Sequence, residues 1–272
     1  MPFQKAMKKI DHAIVELKEM DAMAAAQSPI HSLNATVKFL ATILYIIVVV
    51  SFDKYDLSGL MVMILYPVLM FQISGTSIGR CLHKLRIVLP LVCAVGLFNP
   101  FLDKAPMLYI GGVMITGGVI SMITLMLKGI FCVTASYILV ATTPFDRICA
   151  ALRKLYVPSF IVTLLLLTYR YISVMMEEVS VMTDAYMLRA PRQKGVNKSA
   201  WGSFLGQLLL RSMDRAEELY SSMKLRGFSG EFFYAELGKC KAADYGFLLV
   251  SALAFIVMRY IDIASMLGRM VM

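Results

Sequence analysis

Charge is scarce in this chain. Of its 272 residues only 17% are Asp, Glu, Lys or Arg, against 59% hydrophobic, and the mean hydropathy is +0.72. A soluble domain of this length could not bury so much apolar surface, so composition points to lipid as the solvent. Motifs that carry chemistry are equally sparse. No GxxxxGK[ST] run occurs, which excludes a P-loop nucleotide site here. There is no HExxH helix and no spaced aspartate cluster of the membrane-prenyltransferase kind. His12, His31 and His83 lie far apart, and Cys81-Leu82-His83 is the one close Cys/His pair, with no third ligand nearby. The five cysteines (Cys81, Cys93, Cys132, Cys149, Cys240) are scattered and read as buried free thiols rather than a disulfide framework. No catalytic residue, bound cofactor or metal site is expected.

What is present is long apolar runs. A spanning helix needs about 20 mostly apolar residues, because its backbone polar groups must be satisfied within the segment. Ala35 to Phe52 carries one charge, Lys38, near its start, where the amine is expected to snorkel to the interface. Leu57 to Gly79 has no charge, and Ile87 to Leu102 is shorter and ends in a turn-like Asn99-Pro100. Ala105 to Phe145 is interrupted only by Lys128 and holds either a long helix with a loop or two helices. Tyr245 to Met258 is a last, short span. These runs predict an all-α polytopic membrane protein with five to six transmembrane helices.

The organisation follows from the same pattern. Residues 1–34 form an amphipathic segment of mixed charge (Lys5, Lys8, Lys9, Asp11, Glu16, Lys18, Glu19), expected to lie on a surface; they do not read as a signal peptide. Residues 35–145 form a first transmembrane block, and residues 231–272 hold the final helix and the C-terminus. Between them, residues 146–230 are a charged region entered by a short amphipathic helix, Asp146 to Leu155, and an apolar helix at 157–170. From 170 to 227 this region holds nine Lys and Arg and six Asp and Glu, too many for lipid. Two long helices are expected here, one stopping near Pro191 and one running from about Ser203 to Arg226. The second carries an apolar stripe of Leu205, Leu208, Leu209, Met213, Ala216, Leu219, Tyr220 and Met223. Arg80, Lys84, Arg86, Arg147, Arg153 and Lys154 concentrate the net charge of +9 in short loops, which the positive-inside rule places in the cytoplasm together with the charged region. No basic patch interleaved with exposed aromatics suggests nucleic acid as a partner.

The two helix ends resemble each other. One reads Leu188-Arg189-Ala190, the other Leu225-Arg226-Gly227. Each sets a leucine and an arginine before a small residue, and arginine suits a bidentate contact with a partner carboxylate. A lone arginine there would merely complement the helix dipole, worth about 0.3–1 kcal/mol. The repetition favours two similar partners.

Together with Phe98-Asn99-Pro100-Phe101, Thr142-Thr143-Pro144-Phe145-Asp146, Ala151 to Pro158, and Tyr169-Arg170-Tyr171 followed by Glu177-Glu178, these tips form an ordered set over roughly residues 28 to 260. In that order and spacing the chain resembles the transmembrane T component of energy-coupling factor (ECF) transporters, most closely the cobalt-type CbiQ branch. The resemblance implies that Leu188, Arg189, Ala190, Leu225, Arg226 and Gly227 dock into two ABC-type ATPase subunits, which would carry the ATP. Leu188 and Leu225 stand where the family motif has alanine, and Ala190 where it has glycine; both arginines are retained. It also implies a non-catalytic subunit in the cell membrane with cytoplasmic coupling helices, partnered by a small substrate-binding membrane subunit and the lipid bilayer. Cobalt or nickel is the implied cargo, with a vitamin as the alternative. Two other classes stay open: a conventional permease that binds substrate itself, and a membrane enzyme acting on an anionic lipid through Glu177, Glu178 and Asp184.

Overall fold

The computed structural model describes residues 15, 19, 21–24, 28, 30–76, 78–102, 106–110, 113–190, 196–230 and 241–260, with backbone only at 87, 101, 102, 106–110, 113–115, 198 and 260. The elements are α1 (Ala35–Val50), α2 (Leu57–Val62), α3 (Leu65–Ser74), α4 (Ile78–Gly96), α5 (Asn99–Leu102), β1 (Pro106–Ile110), β2 (Val113–Thr116), α6 (Gly117–Thr142), α7 (Phe145–Lys154), α8 (Ser159–Arg189), a 3-10 turn (Lys198–Ala200), α9 (Trp201–Leu225) and α10 (Ala242–Tyr260). The all-α polytopic class holds. Leu57–Ser74, α6, α8 and Ala242–Arg259 are long and apolar enough to cross a membrane, and α1 is a shorter apolar helix of 16 residues. The run from Ala105 to Phe145 resolves into one long helix preceded by a two-stranded antiparallel hairpin, β1–β2. Gly111 and Gly112 lie outside the described residues.

The chain divides into two compact units. Residues 23–144 and 237–272 form one; residues 1–22 and 145–236 form the other.

In the first unit, α1, α4 and α10 pack on α6 or on one another around a core of Tyr45, Tyr66, Phe131, Ile138 and Phe255. Tyr45, Tyr66 and Phe255 form an aromatic triangle with ring centroids 4.5, 5.4 and 5.0 Å apart. The break between α2 and α3 has a local cause. Pro67 has no N–H and its ring crowds the carbonyl four residues back, which is Met63. That orphaned carbonyl accepts from the Tyr45 hydroxyl at 3.0 Å. Tyr45→Phe therefore leaves a buried carbonyl unpaired, and thermal unfolding in detergent is expected to show a loss of about 1–3 kcal/mol.

Cations in the apolar runs are held on helix ends. Lys38 is 3% exposed and donates to the Thr142 carbonyl at the end of α6, at 2.8 Å. The expected snorkelling is thus corrected: a free backbone carbonyl inside the bundle offers the amine an acceptor without leaving the protein. Lys128 donates to the Val50 carbonyl at 3.1 Å and to that of Phe52, while Arg259 donates to the Ser51 carbonyl at 3.2 Å and lies 4.5 Å over the Phe52 ring. Two cations so complement the negative end of α1.

Some glycines serve close packing. Gly117 and Gly118 are buried at the start of α6. The close approaches are Gly96, where an added Cβ would meet the Met122 side chain at 3.2 Å, and Gly129, where it would meet the Val92 methyls at 3.2 Å.

Candidate coupling site

The second unit is built on α7, α8 and α9. Phe145, the first residue of α7, stacks on Tyr169 of α8 with centroids 4.2 Å apart, and the Tyr169 hydroxyl donates to the Asp21 carboxylate at 2.6 Å. Cys149 sits fully buried in α7, and burial pushes its thiol up to about 11, so it is an inert packing residue.

The turn from α7 to α8 holds a feature that the sequence did not announce. Tyr156 N–H donates to Arg153 O and Val157 N–H to Leu152 O, the paired bonds of a Schellman motif. The left-handed position of that motif usually belongs to glycine, yet Tyr156 takes it at φ 63° with its ring 96% exposed. Tyrosine has no preference for positive φ, so no local signal marked it. Tyr156→Gly is expected to raise the unfolding free energy by about 1 kcal/mol, read from a thermal melt.

α8 runs for 31 residues, apolar at first and charged towards its end; α9 runs for 25 and packs along it. No residue of α9 is fully buried. The continuous apolar stripe expected on it is split by the packing: Leu208, Leu219 and Met223 are half-buried, while Leu205, Leu209, Met213 and Tyr220 stay exposed. Between the helices lies an open cleft of about 250 Å³ lined by Val174, Met175, Glu178, Arg211, Asp214, Arg215 and Glu218. Arg211 pairs with Glu178, and Arg215 with Glu218 at 3.5 Å. Both pairs are solvent-exposed and contribute about 0–1 kcal/mol each.

The two tips end both helices. Arg189 is the last residue of α8, and the Ala190 N–H closes the helix on Tyr186 O at 3.1 Å. At α9 the cap is a full Schellman motif: Gly227 N–H to Lys224 O at 3.0 Å and Phe228 N–H to Met223 O at 3.0 Å, with Gly227 at φ 81°. The tips therefore share residues but not cap geometry. Ala190 has φ −129°, outside the left-handed region that glycine provides at the second tip. Leu188 is 82% exposed and Leu225 90%, and Arg189 and Arg226 are exposed with no ion pair among the described residues. Covering one such leucine is worth about 1.5–3 kcal/mol, so each tip offers apolar area and an available guanidinium.

The remaining candidates do not assemble. Glu177 is exposed, Glu178 is engaged by Arg211, and Asp184 stands about 9 Å of helix rise beyond Glu178. Cys81 is buried and His83 exposed, so that pair points apart on α4. His31 is hydrogen-bonded to Ser28 Oγ at 2.6 Å and to Met23 O at 3.2 Å. His12, Cys240 and most of the N-terminal amphipathic segment lie outside the described residues.

The family model for CbiQ, described as cobalt transport protein, matches residues 26–234, a stretch that includes both tips. The chain belongs to the CbiQ family. Among its relatives, the cobalt transport protein CbiQ of Rhodobacter capsulatus is 33% identical over 96 residues, 34% of this chain and 38% of that one. The nickel permease LarQ of Lactiplantibacillus plantarum is 28% identical over 104 residues, 38% of each chain. An uncharacterized protein of Methanocaldococcus jannaschii is 31% identical over 137 residues, 49% of this chain and 47% of the relative. In each case the matched stretch spans less than half of the relative's length. A CbiQ-family chain is a multi-pass membrane protein, in keeping with the apolar helices described above.

Proposed function

We propose that this chain is the transmembrane coupling subunit of an ECF-type ABC importer for cobalt or nickel. The observation that carries the reading is the pair of long helices in one unit, α8 and α9, each ending in an exposed leucine and an arginine with no ion pair among the described residues. The names of the family and of two relatives support the cargo. In this reading the tips lie in the cytoplasm and seat in two ABC-type ATPase subunits, which bind the ATP. Their motion passes along α8 and α9 to a separate small membrane subunit that captures the metal ion. The present chain does no chemistry; it transmits displacement.

The test is an affinity pull-down of the tagged chain from detergent-solubilised native membranes, with partners identified by mass spectrometry. ATPase subunits and a small membrane protein recovered with the wild type, and lost on changing Arg189 and Arg226, support coupling. Recovery of the chain alone would overturn it.

A further inference from the structure

Three peptide bonds join the two units: Ala22–Met23, Pro144–Phe145 and Glu236–Leu237, the last outside the described residues. One side chain of α8 grips the chain beside the other two. The Tyr169 hydroxyl donates to the Asp21 carboxylate at 2.6 Å, one residue before the first junction, and the bond is charge-assisted. The Tyr169 ring stacks on Phe145, the first residue after the second junction, with centroids 4.2 Å apart and the planes 23° from parallel. Both junctions are stiff. Asp21, Ala22, Met23 and Ala24 are all helical, so the first junction lies within a helical turn. At the second, Pro144 has a fixed φ, and Thr142 and Thr143 before it are each 1% exposed. Neither stretch contains glycine, whose backbone freedom would absorb a displacement. Each junction also leads at once to a held point of the first unit. Met23 O lies 3.2 Å from Nε2 of His31, and Ala24 is buried. The Thr142 carbonyl accepts from the Lys38 amine of α1 at 2.8 Å. On the other side, α8 runs from Tyr169 to Arg189 with neither glycine nor proline, about 30 Å of uninterrupted helix.

We infer that Tyr169 is the positioning residue that carries movement of α8 into the first unit, by holding Asp21 and Phe145 beside two of the three junctions. A stiff helix moves as a body, and the groups bonded to its side chains move with it. Tyr169 holds one junction by its hydroxyl and the other by its ring, so substitution separates the two grips. A residue that served packing alone would need the ring and not the hydroxyl. The inference rests on the coupling reading and names the point at which displacement leaves α8.

The experiment takes the complex recovered with the tagged full-length chain, reconstitutes it in proteoliposomes, and measures Co²⁺ or Ni²⁺ transported per ATP hydrolysed. Tyr169→Phe keeps the ring stack and loses the bond to Asp21. ATPase recovery and ATP hydrolysis are expected to stay near wild type, while ions moved per ATP fall roughly fivefold. Asp21→Asn retains a neutral acceptor and lowers the ratio roughly twofold. Tyr169→Ala also releases Phe145 and lowers it by roughly a further fivefold; if that variant does not fold, the other two carry the test. An unchanged ratio in Tyr169→Phe and Asp21→Asn, beside coupled transport by the wild type, overturns this inference alone. Hydrolysis and transport falling together with the melting temperature would show a merely structural role and also overturns it. A wild-type chain that recovers no ATPase overturns the coupling reading, and this inference with it.

Discussion

Arg189→Ala with Arg226→Ala is expected to abolish cobalt or nickel uptake while the protein remains inserted in the membrane. The argument starts from exposure. Each arginine ends a long helix with no ion pair among the described residues, and each follows a leucine that is more than four-fifths exposed. Among the described residues no ion pair is lost when these side chains are truncated, so folding should be unaffected. In the proposed coupling role the loss falls on an ATPase partner: a carboxylate paired with each arginine would be left buried and unpaired, at a cost of about 3–5 kcal/mol per tip. At 1.4 kcal/mol per decade, that is roughly a hundred- to several-thousand-fold in affinity at each site. Because the two tips sit on separate helices of one unit, the single variants should retain partial binding and the double variant none. Metal accumulation in cells measured by mass spectrometry, beside a membrane-fraction blot, decides the matter. Normal uptake in the double variant would remove the coupling role.

The second large effect is expected at Asp244, on stability. Its side chain is 4% exposed in the first unit. One oxygen accepts from the Asn34 N–H at 3.0 Å and the other from the Lys241 N–H at 2.8 Å. Lys241 precedes α10, so Asp244 makes the reciprocal half of a capping box there. Asn34 in turn caps α1 by accepting from the Thr36 N–H at 3.0 Å. One carboxylate thus holds the N-termini of two helices, where its negative charge also meets the positive ends of both dipoles. Asp244→Ala orphans two N–H groups and is expected to cost roughly 3–5 kcal/mol. Asp244→Asn should be nearly as damaging, since an amide can accept from only one of the two donors and turns its own NH₂ towards the other. A thermal melt in detergent, followed by helix signal, reads both. An unchanged midpoint for Asp244→Ala would show that α1 and α10 are held elsewhere.

Much of this molecule is local, and the local part was legible. Long apolar runs placed α1, α6, the first half of α8 and α10, because a helix in lipid must satisfy its own backbone whatever its neighbours do. The tips were legible for a related reason. Caps are set by a few consecutive residues, and Gly227 takes the left-handed position that its lack of a Cβ allows. Membership of the CbiQ family rests on the same kind of ordered, short-range signal. Other points needed the tertiary structure. An apolar run of five residues such as Pro106–Ile110 reads equally as helix or strand until a partner strand is present. The stripe on α9 was visible as one band, but packing against α8 decides which residues are half-buried and which stay exposed. The fate of Lys38 turned on a carbonyl 104 residues away, and that of Asp244 on an amide 210 residues away. Sequence determined what each segment could satisfy by itself. Tertiary structure decided which leftover charges and carbonyls met, because those partners are neighbours only in space.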